Sequence, residues 1–296
     1  MGSDAGHVPV LLAETLELLA VKPGGLWIDG TVGLGGHAEA VLRATAPEGR
    51  LRGFDRDGEA LERARARLAP FGERVRLEHA DDREIQERLA GERADGILLD
   101  LGVSSLQLDD AERGFSFQRE GPLDMRMDRS ERGGAGELVN RLRESDLADV
   151  IHEYGEEPFA RRIARAIARA RERAPIATTT ELAEIVRRAA PRSRRPGFHP
   201  ATRTFQALRI RTNRELEGLE PAFCRSAECL KPAGRMAVIA FHSLEDRAVK
   251  QAFRTLAGRG FRVLTKKPLR PGERETRENP RARSARLRAL SREEAA

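Results

Sequence analysis

The chain reads as an α/β protein whose open, largely parallel sheet is interrupted by a helical insertion. Three observations predict this. Short apolar runs alternate with longer amphipathic ones from Leu26 to about Val103, helical periodicity alone runs from about Asp109 to Asn213, and the alternation resumes after Glu215. The first predicted strand, Leu26–Asp29, runs into a glycine cluster. Strands at 50–55, 75–79 and 96–100 follow, the last being the most continuously apolar, with helices at 36–45, 57–69 and 83–90 between them. In the insertion, Phe159, Ile163, Ile167 and Ala170 recur as an apolar helical stripe, and Arg161, Arg162, Arg165, Arg169 and Arg173 take the other faces. Thr178 with Glu181 makes a capping box for a helix that stops before Pro191. The tail then gives a helix at 215–230, a buried strand at 236–241, a helix at 244–257 and strands at 261–265 and 284–290.

Composition bounds the class. The 296 residues suit one large domain, or one domain carrying a second, at roughly 100–200 residues each. With 40% hydrophobic residues the chain can build a core, and no apolar run approaches the ~18–20 residues of a membrane span. The N-terminus has neither the basic start nor the apolar stretch of a secretory signal, so a soluble, cytoplasmic protein is expected. Cys224 and Cys229 suit neither a disulfide framework nor a CxxC metal pair and are expected to be small buried hydrophobes, with no metal site implied. The net charge of +6 is unevenly distributed: 187–214 holds nine arginines and no acid, and 262–296 holds eleven basic against five acidic residues. Segregated basic faces of this kind are the footprint of a polyanion partner.

In open α/β sheets ligands bind beyond the carboxyl ends of the strands, where the strand order reverses. The first strand ends in Asp29-Gly30-Thr31-Val32-Gly33-Leu34-Gly35-Gly36-His37, and Gly33, Gly35 and Ala38 satisfy the G-x-G-x-x-[GA] pattern. Twenty residues past Gly35, Asp55 ends the second strand, where a carboxylate can accept the hydroxyls of an adenosine ribose. That acid suits a dinucleotide and S-adenosylmethionine equally. Asp29 and Asp100 separate the two: an aspartate at the first turn repels a pyrophosphate, like charges at ~4 Å costing about 4 kcal/mol at intermediate dielectric, but attracts an ammonium and a sulfonium. The residues therefore favour a methyltransferase. An NAD-linked oxidoreductase using Gly33, Gly35, Ala38 and Asp55, and a non-catalytic RNA-binding assembly factor of the same fold, remain as alternatives.

The chain resembles the bacterial small-subunit ribosomal RNA cytosine-N4 methyltransferases of the MraW/RsmH type over nearly its whole length. The resemblance rests on His7-Val8-Pro9-Val10-Leu11-Leu12, on the Asp29 to His37 run, on Asp55-Arg56-Asp57, and on Ile97-Leu98-Leu99-Asp100-Leu101-Gly102-Val103-Ser104-Ser105. It continues through Gln107 to Phe117, Gly121 to Asp128, His199 to Ala207, Phe241-His242-Ser243-Leu244-Glu245-Asp246-Arg247, and Asn279-Pro280-Arg281-Ala282-Arg283-Ser284. It implies a class I (Rossmann-like) methyltransferase sheet with an inserted all-helical domain. The methyltransferase domain would be discontinuous, 1–108 and 214–296, and 109–213 would be the substrate-recognition insertion. It further implies S-adenosylmethionine as donor and a cytidine of the decoding region as acceptor, in small-subunit ribosomal RNA or the small subunit itself. The oligomeric state stays open, a dimer included.

Carried over residue by residue, the resemblance puts Gly35, Gly36 and His37 around the donor's amino-acid portion, Asp55 on the ribose, Asp82 beside the adenine, then Asp100 and Gln107. Two positions depart from the family's habit. A flat aromatic usually stands where this chain has Asp82, and a proline usually follows the two serines, where it has Leu106. Methyl transfer from a sulfonium is an in-line displacement that needs alignment more than a covalent partner. The weakly nucleophilic exocyclic amine needs a hydrogen-bond acceptor, expected on the 100–105 loop as Asp100, Ser104 or Ser105. The absence of a Pro-Cys pair disfavours C5-cytosine chemistry, which uses a thiolate. Arg192, Arg194, Arg195, Arg203, Arg209 and Arg211, with Arg281, Arg283, Arg286 and Arg288, are the expected phosphate contacts.

Overall fold

The computed structural model describes residues 9–191 and 199–294. In chain order the elements are α1 (Leu12–Leu19), β1 (Leu26–Asp29), α2 (Gly36–Ala44), β2 (Arg50–Asp55), α3 (Gly58–Leu68), β3 (Val75–His79), α4 (Ile85–Leu89), β4 (Ala94–Asp100) and α5 (Ser105–Asp109). Then come α6 (Ala135–Arg141), α7 (Glu144–Gly155), α8 (Ala160–Arg171), α9 (Thr179–Ala189), α10 (Thr202–Asn213), α11 (Leu219–Glu228), β5 (Leu230–Ala240), α12 (Ser243–Leu256), β6 (Phe261–Val263), α13 (Glu273–Glu278) and β7 (Arg286–Arg292). The chain divides into two compact units. One runs to Gly102 and resumes at Gly218, and the other spans Val103–Glu217.

The first unit is a seven-stranded sheet of order β3-β2-β1-β4-β5-β7-β6. β1 to β5 pair in parallel, and β7 runs antiparallel to both β5 and β6. β1, β4 and the second half of β5 are buried on both faces, which is why they read as continuous apolar runs rather than alternating ones. Trp27, Leu51, Leu98, Ala237 and Ile239 pack with Ala38, Val41 and Leu42 of α2 and Leu61, Ala64 and Leu68 of α3. α11 and α12 pack against β5 elsewhere in the unit. Helix starts follow local chemistry: Asp57 caps α3, its Oδ1 accepting from the amides of Glu59 (3.0 Å) and Ala60 (3.2 Å). The largest differences from expectation are in three elements. β5 begins at Leu230, six residues before the predicted strand, and α1 and α13 were unforeseen.

The second unit is a helical cluster in which α7 packs on α8 and α10, and α8 on α9, around Val139, Leu147, Ile151, Ile163, Ile167, Leu182, Val186 and Leu208. Two polar groups tie its long entry segment. Arg113 is fully buried and donates to the carbonyls of Arg126 (3.1 Å) and Met127 (2.9 Å). Asn213 accepts from the Met127 amide (2.7 Å) and donates to the Met125 carbonyl (2.8 Å). Thr178 caps α9 as expected, but Glu181 reaches the amide of Ala177, so the reciprocal bond is made one residue early. The apolar stripe of α8 needs correction. Ile163, Ile167 and the partly buried Ala170 lie on it as expected, joined by Ala160 and Ala164, but Phe159, placed in the stripe by spacing, sits at the helix start with 42% of its surface exposed.

Candidate active site

Strand order reverses between β1 and β4, because the chain builds outward through β2 and β3 and then returns to the other side of β1. The crevice at that reversal lies beyond Asp29 and Asp100, each the last residue of its strand. Asp29 is buried, its Oδ1 accepts from the Thr31 amide at 3.1 Å, and its Oδ2 has no hydrogen-bond partner among the described residues. Thr31 in turn accepts the Asp100 amide at 2.6 Å, fixing the two strand ends together. Asp100 keeps 26% side-chain exposure. Its Oδ1 has no hydrogen-bond partner among the described residues and its Oδ2 lies 3.6 Å from Nε2 of the buried His37. Burial, the charge of Asp29 and that of Glu245, in that order, push the Asp100 carboxyl well above the usual carboxylate range. Burial first, with Asp55 adding to it, pushes Asp29 up to about 7.

The glycine turn is organised by the second strand. Gly33, with φ +52°, donates its amide to Asp55 Oδ2 at 2.7 Å, and Val32 donates to the Phe54 carbonyl at 3.0 Å. Gly35, with φ +81°, starts α2 in the left-handed region where a side chain is strained. Asp55 also accepts the Asp57 amide at 2.8 Å, and burial raises its carboxyl to about 6. Asp82 lies just past β3. A Cβ on Gly30 would fall 3.5 Å from the Asp82 Cβ, so the third strand's loop reaches the first strand's turn. Asp82 Oδ2 also has no hydrogen-bond partner among the described residues; burial and then the neighbouring Asp81 push this carboxyl upward, and Arg83 and Arg56 keep Asp81 ionised despite its burial.

Of the expected site residues, Gly35, Gly36, His37, Asp55, Asp82 and Asp100 therefore lie along the carboxyl edge of one sheet. Gln107, Ser104 and Ser105 belong to the second unit. There Ser104 caps α5, its Oγ accepting the Gln107 amide (3.3 Å) while Gln107 Oε1 accepts the Ser104 amide (2.9 Å). This capping box gives both side chains a structural role. His242 is likewise the N-cap of α12, with Nε2 3.0 Å from Glu245 Oε1. Glu245 was given no role from sequence. It is buried, accepts the Phe241 and His242 amides and adds to the negative field on Asp100. A cap acceptor followed three residues later by an acid was its legible signal.

Among the expected phosphate contacts, Arg209 is held by Glu215 (2.9 and 2.7 Å) and the buried Arg288 by Asp246 (2.7 and 3.2 Å), so both are structural. Arg192, Arg194 and Arg195 fall outside the described residues, as do His7 and Val8. Cys229 is buried and Cys224 half-buried, both as free thiols.

Three carboxylates, each with a buried oxygen that has no hydrogen-bond partner among the described residues, and a fourth that orders the glycine turn, suit a ligand bearing positive charge and hydroxyl or amine donors. A pyrophosphate would meet repulsion here. The ammonium, sulfonium, ribose and adenine of S-adenosylmethionine fit the set. A family model described as the MraW methylase family matches residues 4–293. The chain belongs to this family. It is 53% identical over 306 residues to "Ribosomal RNA small subunit methyltransferase H" of Syntrophotalea carbinolica, covering 97% of this chain and 98% of the relative. Identity to proteins of the same name is 51% in Symbiobacterium thermophilum (96% of both chains) and 54% in Gloeobacter violaceus (97% of this chain, 88% of the relative). This MraW-family methylase is an S-adenosylmethionine-dependent enzyme on an α/β sheet, and the nicotinamide alternative falls away. No helix among the described residues is long and apolar enough to cross a membrane.

Proposed function

We propose that the chain methylates the N4 amine of a cytidine in the decoding region of small-subunit ribosomal RNA, acting in the cytoplasm, with the helical insertion serving substrate recognition. The observation that carries the chemistry is the pair of acidic strand ends, Asp29 and Asp100, at the reversal of strand order. The relatives' name supports the substrate, and the arginine-rich insertion suits a polyanion.

S-adenosylmethionine supplies an electrophilic methyl group on a sulfonium. Asp29 and Asp100 would face its positive charges, Gly35, Gly36 and His37 would surround its amino-acid portion, and Asp55 would accept its ribose hydroxyls. Asp82 would accept from the adenine amine where relatives are expected to stack an aromatic, whereas Gln107, like Ser104, is engaged in the capping box of α5. Asp100 is our choice for accepting the proton of the target amine. Its raised proton affinity suits a base, and positive charge placed beside it keeps it ionised until the amine attacks. Ser104 is spoken for as a cap. Ser105, the first residue of α5, would hydrogen-bond the base. The amine must be reached in an unpaired or extruded base.

The test is methyl transfer from labelled donor to small subunits lacking the modification, followed by nucleoside mass analysis. N4-methylcytidine is expected. Asp100→Asn should lower kcat by about 10²–10⁴-fold and remove the acidic limb of the pH–rate profile. Label in another nucleoside refutes the assignment, and donor binding without turnover on any subunit returns the assembly-factor reading.

A further inference from the structure

The second unit carries a face that neither the fold nor the cofactor chemistry uses. α8 contains five arginines and no acid; its inner side is Ala160, Ile163, Ala164 and Ile167 with the partly buried Ala166 and Ala170, and Arg171 is held by the carbonyls of Val139 (2.6 Å) and Leu142 (2.5 Å), which leaves four arginines outward. Arg161, Arg165, Arg169 and, in the following turn, Arg173 are all exposed and recur every four residues, with Arg162 exposed beside them. The exposed arginines of the surrounding helices are neutralised locally. Arg141 pairs with Glu137 (2.9 Å), Arg143 with Asp146 (2.8 Å), and Arg187 and Arg188 with Glu184 (both 2.6 Å). On α8 the one ion pair among the described residues is Arg165 with Glu144, exposed and at 3.5 Å, a contact of little strength. Exposed Glu156 and Glu172 flank the helix at either end.

Two further features set this face apart from a merely solvated one. Arg161 and Arg162 occupy the first turn, where positive charge opposes the helix macrodipole and acids are favoured, and no acid is present there. Phe159 stands exposed at the same end, although an apolar position one turn before Ile163 is where the core would claim it. Only Leu269 among the described large hydrophobics shares that exposure. Arginines stepping along a helix by about 6 Å of rise per four residues match the spacing of successive phosphates on one polynucleotide strand. An exposed aromatic beside them offers a stacking surface for an unpaired base.

We infer that α8, through Arg161, Arg165, Arg169 and Arg173 with Phe159 at its start, is a binding track for the sugar-phosphate backbone of single-stranded RNA. This rests on the proposed RNA substrate. The test uses the full-length protein and a fluorescein-labelled single-stranded RNA of about twenty nucleotides, titrated by anisotropy at several salt concentrations. Arg→Gln at the four positions together should weaken binding at least tenfold and reduce the slope of log affinity against log salt by about 2–3, at roughly 0.7 per phosphate contact. The four Arg→Lys changes, which keep the charges, should retain most of the slope. Phe159→Ala should lose about five- to a hundredfold in affinity with the slope unaltered, as expected for stacking. S-adenosylhomocysteine affinity by calorimetry should stay within twofold in every variant, which verifies folding. Wild-type affinity in either the four-Gln or the Phe159 variant overturns the track while leaving the function standing. Equal weakening toward a polyglutamate chain assigns the face to an acidic protein and also overturns it. A wild-type protein that binds no RNA overturns both readings.

Discussion

Asp29 offers the sharpest test of the acidic site. It is 2% exposed, and burial pushes its carboxyl from 3.8 up to about 7. Because the folded value lies above the unfolded one, the folded state holds a proton that the unfolded chain releases. The stability contributed by the protonated group is therefore complete below pH 4 and is lost as pH rises to 7. A shift of about three units at 1.36 kcal/mol each gives roughly 4 kcal/mol, of which about 3 should be lost between pH 4.5 and 8. Asp29→Asn keeps the acceptor for the Thr31 amide and abolishes the titration, while its new amide donor, where Oδ2 had no partner, costs about 1–3 kcal/mol at all pH values. The variant without cofactor should thus be less stable than wild type near pH 4.5 and equal or more stable at pH 8. Urea unfolding at half-unit pH intervals measures both curves. Curves that run parallel from pH 4.5 to 8 would refute the reasoning, because the Asp29 carboxyl would then titrate alike in both states. Wild-type affinity for S-adenosylhomocysteine should also tighten as pH rises toward 7, with a shallower slope in Asp29→Asn.

Asp55→Asn keeps an acceptor near Gly33 but removes its charge, and calorimetry should show S-adenosylhomocysteine bound about tenfold to a hundredfold more weakly, as for loss of a hydrogen bond to a charged group. Gly30→Ala would place a Cβ 2.3 Å from Leu99 Cδ2 and 2.8 Å from Ile85 Cδ1, both in the core, so denaturant unfolding should register a loss of about 1–3 kcal/mol from overpacking. Asn213→Ala strips the Met127 amide and Met125 carbonyl of partners and should destabilise the helical unit by about 2–4 kcal/mol, read as early protease cleavage within Val103–Glu217. Ser104→Ala removes a cap, worth about 1 kcal/mol in a thermal melt, and should leave kcat within tenfold if Asp100 is the base.

Where residues announce their role through neighbours in the chain, sequence reading succeeded. β1 and β2 fall on the predicted residues because each run follows a glycine and ends in an acid, β3 falls on its own by the alternation of Val75 and Leu77 with polar residues, and α9 stops before Pro191 because a proline disfavours helix in the residue before it. β5 began early because Lys231, Pro232 and Gly234 conceal a strand whose partners, β4 and β7, are distant in sequence. Phe159 was misplaced because spacing cannot tell the first residue of a helix from the turn before it.

The α/β order, the helical insertion and the four acids were legible in the chain, since these depend on period, punctuation and residue type. Packing decided that Asp29 and Asp100 end neighbouring strands, that Ser104 and His242 are spent as caps, and that Arg209 and Arg288 are bound to carboxylates while Arg161, Arg162, Arg165 and Arg169 of α8 face solvent. The reason is physical. Proton affinity, and whether a charge is matched, depend on dielectric and on partners tens or hundreds of residues away, and both are set by packing.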